Sequence, residues 1–310
     1  MGRGREPAAR AEGADGYGHG LSTERAPATA PLLVLDGDSL AHRSYHALPP
    51  IEGAGGRPIN ALVGFANVLL VLLEAERPRA VLACWDTLGT PTYRHRELPS
   101  YQAHRPPFEP DIVDQLGRLR DLVAAFGFAN AEGPGYEADD FLAAAARAEA
   151  AAGGTALVVT SDRDAYQLAS DAVTILAPQT GGRPPARIGP AEVVERYGVE
   201  PAQVPDFIAL RGDPSDGIPG ARGIGAKTAA QLLQRYGALD AVIAARGELT
   251  ARQAESLGDP DLPLYRHVAT MDAEAPVAPP PDAVLDRSRA ADHARSIGAA
   301  RLAERLGSPP

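Results

Sequence analysis

The chain has 310 residues, of which 45% are hydrophobic and 23% charged, as expected for a soluble globular protein with one large or two modest domains. It has no apolar run of the roughly 20 residues needed to span a bilayer and no signal-peptide core, which predicts a cytoplasmic protein without a membrane partner. The single cysteine, Cys84, excludes an internal disulfide framework. The net charge of −10 is only weak evidence against a nucleic-acid partner, because binding depends on local patches.

Along the first two thirds of the chain, short apolar runs alternate with segments whose apolar residues recur at helical spacing. Residues 1–30 lack hydrophobic periodicity and are predicted to form a disordered tail. Buried strands are predicted at 32–35, 80–85, 156–160 and 173–176. Helices are predicted at 60–75, 111–126 and 141–152. This alternation predicts an α/β domain over 31–188, with a mostly parallel sheet flanked by helices.

Three of the four predicted strands end in aspartate. Asp36 and Asp86 follow the first two strands, and Asp162 and Asp164 follow the third. Ligand sites of open α/β sheets lie outside the carboxyl ends of the strands. We therefore expect these carboxylates to meet at one edge of the sheet.

Three more acids, Glu137, Asp139 and Asp140, precede the predicted helix at 141–152. They could be first-turn acids that the helix dipole favours. They could also face the same sheet edge and contribute to a shared site. This segment alone leaves both interpretations open.

Nine acids in all lie at strand ends, in tight turns or at this helix start. They are Asp36, Asp86, Glu137, Asp139, Asp140, Asp162, Asp164, Asp213 and Asp216. Oxygen ligands without Cys or clustered His favour Mg²⁺ or Mn²⁺ over Zn²⁺. Nine carboxylates exceed what one ion needs, so we expect two or more ions. Paired divalent ions activate water and stabilise the leaving oxygen in phosphodiester hydrolysis.

Residues 87–110 form a long polar excursion that is rich in proline and arginine. Aromatic and basic residues alternate there, with Arg94, Tyr101 and Arg105 as examples. Such a pattern suits stacking on unpaired bases beside phosphate contacts, and a solvated loop is the alternative. Two residues after the first strand could act similarly or simply pack in the interior, namely Arg43 and Tyr45.

The glycine-rich segment at 220–228 is similar to a P-loop but departs from it. Ala226 separates Gly225 from Lys227, and no strand precedes the segment. We interpret it as a hairpin between two helices that offers backbone N–H groups to a phosphate, with a plain helical connection as the alternative. It belongs to a smaller helical domain predicted over 189–300, with its hairpin motif at about 211–236.

Six segments carry a resemblance to a known family. They are LLVLDGDSLAHRSYHALPP at 32–50, ACWD at 83–86, YQAHRPP at 101–107, GYEADD at 135–140, TSDRDAYQL at 160–168 and RGDPSDGIPGARGIGAKTA at 211–229. Together they resemble the bacterial branch of the 5′–3′ exonuclease and flap endonuclease family, which includes the 5′-nuclease domain of DNA polymerase I. The resemblance implies a PIN-like nuclease domain, then a helix–hairpin–helix-type DNA-binding domain. It also implies a helical arch at about 87–110 for a single-stranded 5′ flap.

The resemblance also implies roles for individual residues. A first metal site corresponds to Asp36, Asp86, Glu137, Asp139 and Asp140, and a second to Asp162, Asp164, Asp213 and Asp216. Residues implied to contact DNA are Arg43, Tyr45, Arg94, Tyr101, Gln102, Arg105, Gly223, Gly225, Lys227 and Thr228. Among these, Arg94 carries a catalytic role, Tyr101 stacks on a base, and the glycine hairpin holds duplex and can bind K⁺.

One position departs from the family pattern. Family members usually carry a lysine at the scissile phosphate where this chain has Gln102. Glutamine has no charge, so stabilisation of the transition state should be weaker, unless Arg94 or Arg105 compensates. The departure bears on the rate more than on the type of reaction.

The sequence therefore predicts a free-standing, monomeric nuclease of the cytoplasm, associated with the nucleoid, that cuts DNA at 5′ flaps, nicks and 5′ ends. One alternative is a flap-DNA-binding protein with weak or no turnover, which Gln102 supports. The other is a PIN-type ribonuclease, for which a smaller acid set and no hairpin domain would be expected. Phosphate contacts also predict binding that weakens steeply with salt.

Overall fold

The computed structural model describes residues 30–106 and 109–308, so the predicted tail lies almost wholly outside the described residues. The described chain contains six strands, β1 (Leu32–Asp36), β2 (Ala80–Cys84), β3 (Ala129–Ala131), β4 (Ala156–Val159), β5 (Val173–Ala177) and β6 (Ala186–Ile188). They form one sheet in the order β3-β2-β1-β4-β5-β6. All neighbours pair in parallel except β5 and β6, which are antiparallel. The predicted mostly parallel sheet is confirmed.

The helices surround this sheet and then form a second, helical region. In chain order they are α1 (Gly37–Ala47), α2 (Asn60–Glu76), α3 (Tyr93–Glu97), α4 (Pro110–Ala125), α5 (Ala138–Ala151), α6 (Pro190–Tyr197), α7 (Val204–Arg211), α8 (Ala226–Tyr236), α9 (Leu239–Ala244), α10 (Ala251–Ser256), α11 (Leu262–Ala269), α12 (Arg287–Ser296) and α13 (Ala300–Gly307). Short 3₁₀ turns lie at 54–56, 164–168, 201–203 and 245–248. Within the described ranges, no helix has the length and apolarity to cross a membrane.

The central strands are apolar on both faces because helices cover both sides of the sheet. Alternate residues of β1 show this, since Leu33 packs with the α2 and α4 side and Val34 with the α5 side. All five residues of β1 and of β2 are buried. The carboxyl ends of β1, β2 and β4 consequently lie at a single edge, which α1 and α5 flank.

The last two helices do not stay with the helical region. Ala290 and Ile297 of α12 and Leu302 of α13 pack in the same cluster as Phe65 of α2 and Leu119 of α4. The predicted helical domain grouped 189–300 together, whereas the structure returns 287–307 to the sheet domain. Helices α12 and α13 bury the apolar faces of α2 and α4, which would otherwise be exposed to solvent. The boundary at about residue 188 stays a prediction.

Candidate active site

A cavity of about 850 Å³ opens where β1, β2 and β4 end. The carboxylates in its wall come from Asp36, Asp38, Asp86, Glu137, Asp139, Asp162, Asp164, Asp213 and Asp216. Eight of the nine predicted acids are thus brought together, while Asp140 lies outside the wall and Asp38 had not been predicted. Three arginines share the wall, namely Arg105, Arg163 and Arg211.

Asp36 stands between β1 and α1 and is fixed by both of its oxygens. Its Oδ1 accepts the N–H of Ser39 at 2.9 Å, which makes it the N-cap of α1, and its Oδ2 accepts the Thr160 hydroxyl at 2.6 Å. The turn into α1 lies against the indole of Trp85. A Cβ at Gly37 would be 2.4 Å from that ring, so only glycine fits there.

Asp38 lies in the first turn of α1 and is 7% exposed. Its Oδ2 accepts the backbone N–H of Asp86 at 2.8 Å. Its Oδ1 is buried and has no hydrogen-bond partner within the described residues. Sequence reasoning missed Asp38 because a second acid in an Asp-Gly-Asp turn is typical of a helix start.

Asp86 connects the end of β2 to the start of α5. Its Oδ1 accepts the N–H of Ala138 at 2.7 Å. Its own N–H is held by Asp38. Arg120 donates to the Asp86 carbonyl at 3.1 Å and lies over the Trp85 ring, so the strand end is held from several sides.

Glu137, the N-cap residue of α5, binds two side chains of the 87–110 segment. Its Oε1 accepts the Thr92 hydroxyl at 2.9 Å, and its Oε2 accepts the Tyr101 hydroxyl at 2.9 Å. Tyr101 is 5% exposed, and its ring meets His95 edge to face. In this arrangement Tyr101 orients Glu137 and does not present its ring for stacking on a base.

Asp140 is fully engaged by protein donors. Arg94 donates to both of its oxygens, at 2.7 and 2.8 Å, and the backbone N–H groups of Glu137 and Asp272 donate at 3.0 and 2.8 Å. The side chains of Arg94 and Asp140 are 3% and 0% exposed. These four bonds occupy the acceptor sites of the carboxylate. The geometry therefore differs from the predicted metal-ligand role of Asp140 and from a phosphate contact by Arg94.

Of the remaining acids, Asp139 lies in the first turn of α5, and the other four lie on two turns that line the same cavity. Asp162 and Asp164 follow β4, and Asp162 Oδ1 accepts the N–H of Asp164 at 2.8 Å. Asp213 accepts Ser215 N–H at 2.8 Å and Arg211 at 2.9 Å. Asp216 is the acceptor for Arg105 and, at 3.5 Å, for the amide of Gln102.

Burial and crowding raise the pKa of several of these carboxyl groups. Burial, with repulsion from Asp86 adding to it, raises the pKa of Asp36 to about 7 and that of Asp38 to about 8. Burial also raises the pKa of Asp216 to about 6, against the opposing effect of Arg105. The pKa values of Asp139 and Asp164 are well above the usual range, because of burial and then the nearby Asp162 carboxylate.

The donor chemistry of the cavity fits hard divalent cations. It offers carboxylate oxygens, one of them buried and unpaired, and its negative charges repel one another. Bound cations would relieve that repulsion. Among residues 30–106 and 109–308, no three His, Cys, Asp or Glu side chains lie in an arrangement that could hold a metal ion as it stands.

The predicted DNA contacts fall into three places. Gln102 and Arg105 line the cavity, and Gln102 has a left-handed backbone with φ of 52°. Arg43 donates to the Gln179 carbonyl, and Tyr45 donates to Glu109 at 3.1 Å, so both make internal contacts.

The glycine hairpin forms a separate exposed surface. Gly223, Gly225 and Lys227 are exposed, and Thr228 is partly so. Gly225 is the N-cap residue of α8, and a Cβ there would meet nothing within 4 Å. Arg252 of α10 reaches 3.1 Å from the position of a Cβ at Gly223, a cation that the sequence did not identify.

Comparison with known proteins gives matches over most of the chain. The family model for the 5′–3′ exonuclease N-terminal resolvase-like domain matches residues 31–198, and that for the 5′–3′ exonuclease C-terminal SAM fold matches 199–291. A 5′–3′ exonuclease of Mycobacterium tuberculosis is 36% identical over 303 residues, covering 90% of this chain and 94% of that protein. DNA polymerase I of Mycobacterium bovis is 38% identical over 278 residues, covering 88% of this chain but only 30% of the polymerase.

Solved structures share the fold at low sequence identity. Phage T5 5′-exonuclease with bound divalent zinc ions has a TM-score of 0.66 at 18% identity, covering 89% of this chain and 98% of that one. The catalytic core of Rad2 in complex with DNA substrate has a TM-score of 0.59 at 14% identity, covering 90% of each chain. The predicted architecture of a nuclease sheet domain followed by a helical domain is confirmed.

Proposed function

The chain belongs to the 5′–3′ exonuclease family, and from that premise we propose that it hydrolyses DNA phosphodiester bonds at 5′ flaps, nicks and 5′ ends. The observation that carries the proposal is the cavity in which nine carboxylates meet at the carboxyl ends of three parallel strands. The chain spans less than a third of the polymerase relatives, so polymerase chemistry is no part of the proposal.

Two or more Mg²⁺ or Mn²⁺ ions are the proposed cofactors. The residues that would hold them are Asp36, Asp86, Glu137, Asp139, Asp162, Asp164, Asp213 and Asp216. Oxygen-only donors support this choice of metal. The divalent zinc ions bound in the structure of T5 5′-exonuclease support a divalent-metal site, whichever the metal. When bound, such ions lower the pKa of water and neutralise charge on the leaving oxygen.

Asp140 has a different proposed role, that of positioning residue. Its bonds to Arg94 and to Glu137 N–H hold the base of the 87–110 segment against the start of α5. Glu137 then faces the cavity with both oxygens oriented by Thr92 and Tyr101. Because the Arg94 guanidinium is engaged in the buried ion pair, it affects the reaction only by holding Asp140 and Glu137 in position.

Arg105 is the proposed cation for the scissile phosphate. Its side chain is 49% exposed, lines the cavity and pairs with Asp216. Gln102 stands beside it and adds only a hydrogen-bond donor. The planar guanidinium of Arg105 can bind a phosphate through two N–H groups. An incoming phosphate would compete with the Asp216 carboxylate for it.

The glycine hairpin is the proposed grip on duplex DNA. The first turn of α8 contains no acid, so its backbone N–H groups and Lys227 can meet a phosphate without repulsion. K⁺ held by hairpin carbonyls is part of the same proposal. The complex of Rad2 with DNA supports a DNA-binding role for this fold.

The test is cleavage of a labelled 5′-flap duplex with Mg²⁺, comparing wild type with Asp139→Asn. We expect product with wild type, none in EDTA, and loss of at least about 100-fold in rate with the variant. Asp171→Asn, an exposed acid outside the cavity, is the control and should cleave normally. Equal rates for wild type and Asp139→Asn would refute the assignment.

The same assay separates the alternatives. Flap binding without cleavage in Mg²⁺ would indicate a binding protein, and a faster rate on RNA than on DNA would indicate a ribonuclease. We also propose a monomer at the nucleoid, for which light scattering and fluorescence microscopy of the tagged protein are the checks.

A further inference from the structure

Asp38 does not behave as an ordinary first-turn acid. Asp36 already caps α1 by accepting the N–H of Ser39. The Asp38 carboxylate instead turns towards the end of β2, where its Oδ2 accepts the Asp86 N–H at 2.8 Å. Its interaction is therefore with the candidate metal site and not with its own helix.

The second oxygen of Asp38 is the unusual feature. The residue is only 7% exposed, and its Oδ1 is buried without a hydrogen-bond partner in the described chain. A buried, unpaired carboxylate oxygen is costly unless a ligand satisfies it. The same residue lines the cavity beside Asp36 and Asp86, so the unpaired oxygen belongs to a side chain of the cavity wall.

We propose that Asp38 is an additional acid of the metal centre. Its Oδ2 fixes the Asp86 backbone at the end of β2, and its Oδ1 accepts from, or coordinates, a hydrated divalent cation beside Asp36. This inference rests on the proposed function, since it presumes that the cavity binds divalent ions. It adds an acid that is absent both from the strand-end pattern and from the metal sites that the resemblance implies.

Metal affinity can be measured without turnover. Trp85 is the single tryptophan, directly precedes Asp86, and packs against Gly37. Tb³⁺ bound in the cavity should therefore be sensitised by Trp85, and Mg²⁺ or Mn²⁺ should displace it. The titration uses the full chain, and the sensitised Tb³⁺ luminescence reports ion binding close to Trp85.

Three variants separate charge from structure. Asp38→Asn keeps the shape and an oxygen for the Asp86 N–H but removes the charge, and we expect about tenfold weaker Tb³⁺ affinity. Asp38→Ala loses both functions and should bind more weakly still, with a lower melting temperature. Asp38→Glu keeps the charge and should recover part of the affinity. Asp171→Asn is the matched control, and its affinity should equal that of wild type.

The outcomes are distinguishable. If Asp38→Asn, Asp38→Ala and Asp38→Glu all bind Tb³⁺ as wild type does, the inference is overturned. If only Asp38→Ala is impaired, together with its melting temperature, Asp38 is merely structural and the inference also fails. In both cases flap cleavage by wild type in Mg²⁺ would leave the proposed function intact. If wild type neither cleaves nor binds Tb³⁺, the proposed function itself fails.

Discussion

Arg94 and Asp140 form an ion pair that is buried away from solvent, with two N–H···O bonds of 2.7 and 2.8 Å. Arg94 also donates to the carbonyls of Val268 and Thr270, at 2.9 and 3.1 Å. The pair thereby joins the base of the 87–110 segment, the start of α5, the last turn of α11 and the residue that follows it. It connects the sheet domain to the helical region directly behind the acid cavity.

Breaking this pair should destabilise the protein strongly. Arg94→Met leaves the Asp140 charge buried without its partner, and we expect a loss of about 3–5 kcal/mol in the free energy of unfolding. Urea denaturation measures it. Arg147→Ala is the control because it breaks an exposed pair with Glu274, and it should cost less than about 1 kcal/mol. Similar losses in both variants would contradict the assignment of a buried, structural pair.

Adding a charge at Gln102 should accelerate cleavage. The Gln102 amide lies in the cavity wall beside Arg105 and Asp216, where a lysine could reach a phosphate. We expect Gln102→Lys to raise the single-turnover rate about tenfold through stabilisation of the transition state. His104→Lys is the control, since it adds the same charge in the same turn outside the cavity wall. An unchanged rate in Gln102→Lys would mean that Arg105 already fills the role.

The stability of the metal-free protein should fall as pH rises. The pKa of Asp36 is raised to about 7, that of Asp38 to about 8 and that of Asp216 to about 6, from 3.8. Between the unfolded pKa of 3.8 and the raised folded pKa values, these carboxyl groups are protonated in the folded protein but ionised in the unfolded chain. Their contribution to the free energy of unfolding is therefore complete below about pH 4 and is lost as pH rises through about 6 to 8.

Urea unfolding in EDTA at pH 5 and pH 8 measures this effect. Saturating Mn²⁺ should flatten the decline because bound cations replace the protons. Asp38→Asn should also show a shallower decline, since it removes one of the titrating groups. A free energy of unfolding that does not fall from pH 5 to pH 8 in wild type, or that falls no more than in Asp38→Asn, would contradict the prediction.

Gly217 sets how closely the 213–218 turn approaches the 98–105 segment. Its φ is +70°, and a Cβ there would lie 2.2 Å from the Ser100 carbonyl oxygen. Gly217→Ala should separate the two turns, weakening both flap cleavage and folding. Gly181→Ala is the matched control, with φ of +72° and nothing within 4 Å of the added Cβ. Gly181→Ala should lose only the about 1–2 kcal/mol that a left-handed backbone costs a residue with a Cβ. Equal losses of stability in the two variants would show that the close approach of Gly217 to Ser100 is unimportant.

Much of the fold follows from local patterns in the sequence. The four apolar runs became β1, β2, β4 and β5, because buried parallel strands leave continuous apolar segments. β3 and β6 were missed because three residues give no distinct run. The packing of α12 and α13 against α2 and α4 was not predicted either, because the apolar face of a helix does not show which surface it covers.

The location of the site could be predicted from the sequence, but the ion pairs and hydrogen bonds within it could not. Aspartates after parallel strands must meet at one edge, so the convergence of Asp36, Asp86 and Asp162 could be read from the chain. The pairing of Arg94 with Asp140 depends on how the 87–110 segment docks, a long-range contact that no local pattern encodes. Asp38 was hidden for the opposite reason, because its local pattern had an ordinary explanation.

The cavity draws its acids from Asp36 near one end of the described chain to Asp216, well into the helical region. No single stretch of the chain holds more than a fraction of them, and β4 must enter between β1 and β5 before the parts can meet. Contacts between residues so far apart in sequence slow the folding of a chain, because the entropy of closing long loops must be overcome first. Because Asp216 is the last of these acids along the chain, a growing chain on the ribosome lacks the complete set until that residue has been added.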